Sequence, residues 1–210
     1  IIAIGLPSGI QNGIVSLSNV VVQSNINSFG DIAMAGCGAY NKLDGFALLP
    51  AGSFSLALST FVSQNIGAEQ YDRAKKGAAF GLIAAMVISE LAGVLIYFTA
   101  PQLVGFFNDD PEVIRYGVLM ARNIVFAYAL VAYSNAMAGV LRGAGLSRVP
   151  MFVMVGCWCV LRVIWIQIMV PLTQDIRVVF WSYPITWAVS VTILTIYFFK
   201  VDWLHKGQLH

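Results

Sequence analysis

The chain has 210 residues, of which 59% are hydrophobic and only 10% are charged, and its mean hydropathy is +0.78. Soluble globular domains are about 45–50% apolar and about 25% charged, so this composition excludes an ordinary soluble domain and predicts an integral membrane protein. The 12 basic and 10 acidic side chains leave a formal net charge of +2, which is too small to indicate a nucleic-acid partner.

Six long apolar stretches follow one another along the chain. Each has about 20–30 residues and is therefore long enough to cross a hydrocarbon core of ~30 Å. They cover approximately residues 5–29, 32–62, 77–100, 113–137, 150–170 and 178–199. The sequence thus predicts a single all-α domain over residues 1–210, a bundle of six transmembrane helices. Pro50 and Pro184 fall inside spans and predict kinks there.

The first span is more polar than the others. Five of its polar side chains follow i, i+4, i+7, i+11, i+15 spacing and fall on one face about 80° wide: Asn12, Ser16, Asn19, Gln23 and Asn27. Because an amide without a partner is unfavourable in lipid, this amide stripe predicts the wall of a polar cavity, with Tyr40 nearby. The alternative is that the same side chains hydrogen bond to neighbouring helices within the bundle.

Five ionisable residues lie near the middle of the later spans: Lys42, Asp44, Glu90, Arg122 and Arg162. A buried carboxylate is either a proton or cation site or one member of a permanent ion pair, and for Asp44 both interpretations stay open. We interpret Glu90 and Arg162 as structural. Possible ion pairs are Asp44 with Arg122 and Glu90 with Arg162. Depth in the membrane alone does not decide which charges pair.

Close helix packing is indicated by two glycine pairs, Gly9-x-x-x-Gly13 and Gly77-x-x-x-Gly81. A disulfide framework and a metal site are not indicated. The three cysteines lie in apolar stretches, and both histidines lie in the tail. The chain begins with Ile1 and shows no signal-peptide pattern, so we expect it to start inside a longer protein.

The basic residues of the loops are distributed unequally. Those after the second and fourth spans and in the tail are Arg73, Lys75, Lys76, Arg142, Arg148, Lys200 and Lys206. The loops on the other side hold only Arg115 and Arg177, beside a group of acidic residues. Since cytoplasmic loops carry an excess of Lys and Arg, we predict a multi-pass protein of the plasma (bacterial inner) membrane with both termini in the cytoplasm.

Several motifs stand out within and after the spans. The second span contains KLDGFALLPAG from Lys42 and ends in ALSTFVSQNIGA from Ala57, before YDR from Tyr71. Later segments read LRGAG from Leu141, RVIW from Arg162 and YPITW from Tyr183. We expect the glycines that follow the second and fourth spans, at 67, 143 and 145, to end helices in left-handed turns.

In these motifs the chain resembles the multidrug and toxic compound extrusion (MATE) family, and the last two resemble its carboxy-terminal lobe. Ser63 stands where the family usually has glycine. The resemblance implies one lobe of a twelve-helix transporter, embedded in the bilayer beside the amino-terminal lobe of the same protein. It also implies a secondary antiporter that exports a small organic, often cationic, compound against Na⁺ or H⁺, with no enzymatic activity and no cofactor apart from that ion.

Some family members bind cations through carboxylates on the first and fourth helices of this lobe. Here the first span offers only amides and hydroxyls, and the fourth offers Arg122 and Asn123. The coupling ion is therefore expected mainly in the other lobe. Two alternatives remain: a flippase of lipid-linked saccharides, favoured by Lys42, Arg122 and Arg162, and a membrane assembly subunit that does not transport. An intramembrane protease is disfavoured because no span holds a histidine or an H-E-x-x-H motif.

Overall fold

The computed structural model describes residues 2–204, with side chains described from residue 9 onward. Helices cover most of this part, and no strand occurs in it. The α-helices are α1 (Ile2–Asn27), α2 (Asp31–Ala47), α3 (Leu49–Gly67), α4 (Tyr71–Gly105), α5 (Pro111–Ile124), α6 (Tyr128–Gly143), α7 (Arg148–Met154), α8 (Arg162–Thr173) and α9 (Arg177–Lys200). A 3₁₀ turn, Val125–Ala127, joins α5 to α6, and a π-helical segment, Val155–Leu161, joins α7 to α8.

Five helical segments of the described part are long and apolar enough to span a membrane. They are Asp31–Gly67, Tyr71–Gly105, Pro111–Gly143, Arg148–Thr173 and Arg177–Lys200. Helix α1 is long enough but falls outside this set because its apolar residues are interrupted by the amide stripe. The arrangement confirms the predicted all-α membrane architecture. Helix α4 begins at Tyr71, ahead of the predicted span at 77, because the basic first turns are helical as well as the apolar part.

Two of the spans are interrupted helices. The span Asp31–Gly67 breaks at Leu48, between α2 and α3, and Pro50 occupies the first turn of α3, where a missing N–H leaves no bond unmade. The span Pro111–Gly143 breaks at the 3₁₀ turn, which gives α6 a helix start of its own inside the bundle. Pro184, by contrast, lies inside α9, which is assigned as helix from Arg177 to Lys200.

Helices α3 and α6 approach each other at two glycines of α6. A side chain added at Gly139 would collide with the backbone oxygen of Ser55, and one at Gly143 with that of Ser59. The sequence pair Gly77 and Gly81 packs against the side chains of α3, in agreement with the prediction of a close approach there. The prediction for Gly9 and Gly13 is wrong within this lobe, since nothing lies within 4 Å of an added Cβ at either position.

The turns after α3 and α6 share one hydrogen-bond pattern. Gln70 N donates to the Asn65 carbonyl at 2.8 Å, and Leu146 N donates to the Leu141 carbonyl at 2.8 Å. The left-handed residue is Gly145 after α6, as predicted, with φ 83°. After α3 it is Glu69, with φ 56°, so the prediction that a glycine at 67 takes this conformation is wrong, and so is that for Gly143, which is the last residue of α6. A helix closed by this 6→1 bond places the left-handed residue next to last, and that position falls on Glu69.

Candidate functional site

The carboxylate of Asp44 is held by two tyrosine hydroxyls. The Tyr128 hydroxyl donates to Asp44 Oδ1 at 2.5 Å, and the Tyr40 hydroxyl donates to the same oxygen at 3.2 Å. The two hydroxyl oxygens lie 2.9 Å apart. Tyr40 precedes Asp44 by one turn of α2, whereas Tyr128 is the first residue of α6 and reaches Asp44 from the 3₁₀ break. The site therefore joins the two interrupted spans.

Arg162 is the second charged group of this region and is almost completely buried, with 2% of its surface exposed. Its Nη2 donates to Thr186 Oγ1 at 3.0 Å, and its guanidinium carbon lies 4.2 Å from the centre of the Tyr183 ring. The two motifs RVIW and YPITW thus meet in one contact. Nε of Arg162 has no hydrogen-bond partner in the described part of the chain. No hydrogen bond or ion pair joins Arg162 to Asp44 among the residues that the structure describes.

The predicted pairing of Asp44 with Arg122 is not formed. Arg122 is exposed, and its guanidinium lies 5.5 Å from the centre of the Tyr97 ring. It belongs to the last turn of α5, where a cation interacts favourably with the carboxyl end of the helix. Lys42, also exposed, has its ammonium group 5.0 Å from the centre of the Phe107 ring. Both cations therefore contact aromatic faces and lie apart from the Asp44 cluster.

The predicted pair of Glu90 with Arg162 is not formed either. Glu90 binds a backbone group instead. The half-buried carboxylate of Glu90 accepts a hydrogen bond from the backbone N–H of Ala129 at 2.9 Å. Ala129 is the second residue of α6, and the first N–H groups of a helix have no partner within the helix. Glu90 thus caps α6 from the neighbouring helix α4, and Arg162 points instead towards α9.

The amide stripe lies on the outer side of the lobe. Four of its members are exposed and the fifth, Gln23, is half-buried. Gln23 Nε2 donates to Asn27 Oδ1 at 2.8 Å, and Asn41 of α2 donates to Gln23 Oε1 at 3.4 Å. Val22 and Ile26, which are buried, face the bundle from the side of α1 that adjoins the stripe. The stripe is therefore free to face a cavity or another part of the protein.

Tyr40, predicted beside this stripe, does not line an exposed surface. Only 1% of its surface is exposed, and its hydroxyl is bonded within the Asp44 cluster. The reason is the rotation of α2, which turns Tyr40 towards α6. The sequence interpretation also missed Tyr128. A buried tyrosine hydroxyl in a membrane span needs a hydrogen-bond partner, so Tyr128 could have been predicted to contact a polar group. Lys206 and both histidines lie outside the described residues.

Comparison with known proteins places this fold in a family. The profile of the MatE family matches residues 7–166. The probable multidrug resistance protein YoeA of Bacillus subtilis (strain 168) is 26% identical over 199 residues, which cover 94% of this chain and 43% of YoeA. The FAD transporter of Shewanella oneidensis is 30% identical over 150 residues, which cover 66% of this chain and 33% of that protein.

A solved structure gives the same result for the fold. The crystal structure of MATE in complex with MaD3S has a TM-score of 0.88 and 17% identity, over 94% of this chain and 45% of that one. The chain therefore spans less than half the length of these relatives and has the fold of one lobe of such a transporter. Because the family profile covers most of the chain, the protein belongs to the MatE family.

Proposed function

We propose that this chain is the carboxy-terminal half of a secondary transporter that exports organic, often cationic, compounds by Na⁺- or H⁺-coupled antiport. Family membership and relatives named for multidrug resistance support the export of drugs. The observation that carries the coupling proposal is the Asp44 carboxylate, held inside a membrane bundle by two neutral hydroxyls. A carboxylate in that setting can exchange a hydroxyl donor for a proton or a cation.

The position of Asp44 favours a response to helix movement. Its carbonyl accepts the hydrogen bond of Leu48 N at 3.0 Å, at the break between α2 and α3. Bending at this break would move Asp44 relative to Tyr128, which is fixed to another span. The main coupling site is proposed to lie in the amino-terminal lobe, because the first and fourth spans of this chain lack the carboxylates that other members use. Asp44 then links ion binding there to the conformation of this lobe.

The partner in this proposal is the amino-terminal lobe, which would cover the amide stripe. Alternating access requires two bodies that rock around a shared site, and this chain supplies one of them. Left uncovered, the exposed amides of α1 would face lipid at a penalty of about a few kcal/mol for each amide without a partner. The stripe would instead form one wall of the central substrate cavity.

The experiment is transport by proteoliposomes that contain this chain together with its amino-terminal lobe. An inward Na⁺ or H⁺ gradient is expected to drive export of a cationic dye, and dissipating the gradient is expected to stop it. The 210-residue chain alone is expected to give no coupled transport. Robust ion-driven export by the purified monomeric chain would contradict the half-transporter proposal, and a complete absence of transport by the two lobes together would favour an assembly role.

A flippase of lipid-linked saccharides is the second candidate, supported by the exposed cations Lys42 and Arg122. Arg162 no longer supports it, because this side chain is buried inside the lobe. Competition between the dye and a lipid-linked saccharide separates the two proposals. Inhibition by an organic cation is expected for the antiporter, and inhibition by the glycolipid alone would favour the flippase.

The membrane orientation is proposed from the loop charges, with both termini and the region of Arg73 in the cytoplasm and Asp109 outside. Single cysteines at these two positions, in a background without Cys37, Cys157 and Cys159, can be treated with an impermeant thiol reagent in intact cells. Labelling is expected at position 109 and not at position 73. The reverse pattern would invert the topology.

A further inference from the structure

A groove runs along the outside of the lobe between α4 and α9, with α6 as its floor. It has a volume of about 340 Å³, and its lining includes Lys75, Ala78 and Leu82 of α4, Tyr133 of α6, Phe198 of α9 and Trp203. We call it the α4–α9 groove. Its wall on α9 carries a large exposed apolar side chain, Phe199, which is 80% exposed. Such surfaces face lipid in a membrane protein, so the groove opens towards the bilayer.

The mouth of the groove is basic. Lys75 is exposed at its rim, and no hydrogen bond or ion pair of its ammonium group is found among the described residues. Lys76 and Lys200, both exposed, lie at the same end of the lobe. Asp202, next to Trp203, already has an interaction within the protein. A lysine at the membrane boundary keeps its ammonium group at the level of the lipid phosphates while its methylenes lie against apolar surface.

The inner part of the groove is apolar. Ala78 and Met137 are each 1% exposed and Leu82 is 9% exposed, so they form a packed floor and not an entrance for water. The hydroxyl of Tyr133 accepts a hydrogen bond from Thr195 Oγ1 at 3.0 Å and is therefore already satisfied. From Lys75 to Leu82 the groove extends about 10 Å along α4. This length accommodates the part of an acyl chain that lies nearest to the headgroup.

We propose that the α4–α9 groove binds one anionic phospholipid, with its phosphate group at Lys75 and one acyl chain along Ala78 and Leu82. The charge at the mouth selects a negative headgroup, and Trp203, which lines the groove just after α9, is of a residue type favoured at membrane interfaces. A second copy of the chain fits this surface poorly. In a two-fold contact the basic ends, each with Lys75 and Lys76, would be brought together.

The test is native mass spectrometry of the purified protein titrated with phosphatidylglycerol or phosphatidylcholine of matched acyl chains. One-to-one binding of phosphatidylglycerol is expected, with phosphatidylcholine at least several-fold weaker. Lys75→Gln should weaken phosphatidylglycerol about fivefold, as expected for one basic group at the membrane surface. Lys76→Gln is the matched control: this neighbouring exposed lysine lies outside the groove, so its loss should weaken phosphatidylglycerol binding clearly less than the loss of Lys75 does.

A second pair of variants tests the apolar part. Ala79 lines the groove and is exposed, so Ala79→Trp should fill it and abolish binding of both lipids. Val87→Trp places the same bulk at an exposed site of α4 outside the groove and should leave binding intact. Equal affinity for the two lipids, equal loss in Lys75→Gln and Lys76→Gln, or unchanged binding in Ala79→Trp would each overturn the proposal. So would a lipid-independent dimer that Ala79→Trp disrupts.

Discussion

Two carboxylates inside the bundle, Asp44 and Glu90, have partners of opposite character. Asp44 accepts hydrogen bonds from the hydroxyls of Tyr40 and Tyr128, which are side chains on two spans. Glu90 accepts one from the backbone N–H of Ala129 at the start of α6. Hydroxyls can rotate to new acceptors when helices move, whereas a backbone N–H in the first turn of a helix has a direction fixed by that helix. The same chemical group is therefore suited to coupling in one place and to structure in the other.

The difference between the two sites comes from the break in the span Pro111–Gly143. The 3₁₀ turn Val125–Ala127 exposes backbone groups that a continuous helix would satisfy, and Glu90 of α4 supplies an acceptor for one of them. The same break starts α6 at Tyr128 and directs its hydroxyl towards Asp44. One interruption thus creates both the cap and the coupling candidate.

The largest effect is expected for Asp44→Asn. The amide keeps an oxygen that accepts both tyrosine hydroxyls but can neither carry the charge nor bind a proton. Dye efflux by the two-lobed transporter should fall to the level of the empty vector while the amount of protein in the membrane is unchanged. Glu90→Gln is the matched control and should retain efflux. Equal loss in both variants, or full efflux by Asp44→Asn, would remove the distinction between the carboxylates.

Tyr128→Phe should have the next largest effect, on stability. It removes the 2.5 Å hydrogen bond to Asp44 from a fully buried side chain, and a bond to a charged acceptor contributes about 2 kcal/mol. Tyr40→Phe removes the longer 3.2 Å bond and should lower the free energy of unfolding less. Unfolding in detergent by added dodecyl sulfate measures both. A larger loss in Tyr40→Phe would indicate that Tyr40 is the main donor.

Glu90→Ala should lower the free energy of unfolding by about 1 kcal/mol, as expected for the loss of a helix cap. The acceptor that caps α6 comes from a neighbouring helix, so the change should also loosen α4 against α6. Hydrogen exchange at the Ala129 amide should accelerate in this variant. Unchanged exchange at Ala129 would show that the cap is dispensable, and a complete loss of efflux would move Glu90 into the coupling group.

The smallest effect is expected for the coupling between Asp44 and Arg162. No hydrogen bond or ion pair joins these two side chains among the described residues, so a double-mutant cycle with Asp44→Asn and Arg162→Gln should give a small coupling energy of about 0.5 kcal/mol. A parallel cycle of Glu90→Gln with Arg162→Gln should give a value near zero. A larger coupling for Glu90 would restore the pairing that the sequence suggested and reverse the assignment of Arg162.

Composition and local motifs were sufficient to predict the membrane location, the helical bundle and the family. The reason is that membrane insertion depends on the length and polarity of contiguous segments, which are properties of the chain in one dimension. The position of Asp44 near a helix break could likewise be predicted, because Pro50 follows it within the same span. The periodicity of the amide stripe also predicted that its members share one face of α1, although the cavity that this face would line stays a prediction.

Only the tertiary structure decided which groups the charges meet. Position along a span gives the depth of Asp44, Glu90 and Arg162, but their partners depend on how each helix is rotated and on which helix lies beside it. The 3₁₀ break brought Tyr128 to Asp44 and Ala129 to Glu90, and the rotation of α8 turned Arg162 to Thr186. These contacts join residues 24 to 84 positions apart in the chain, so no local pattern encodes them.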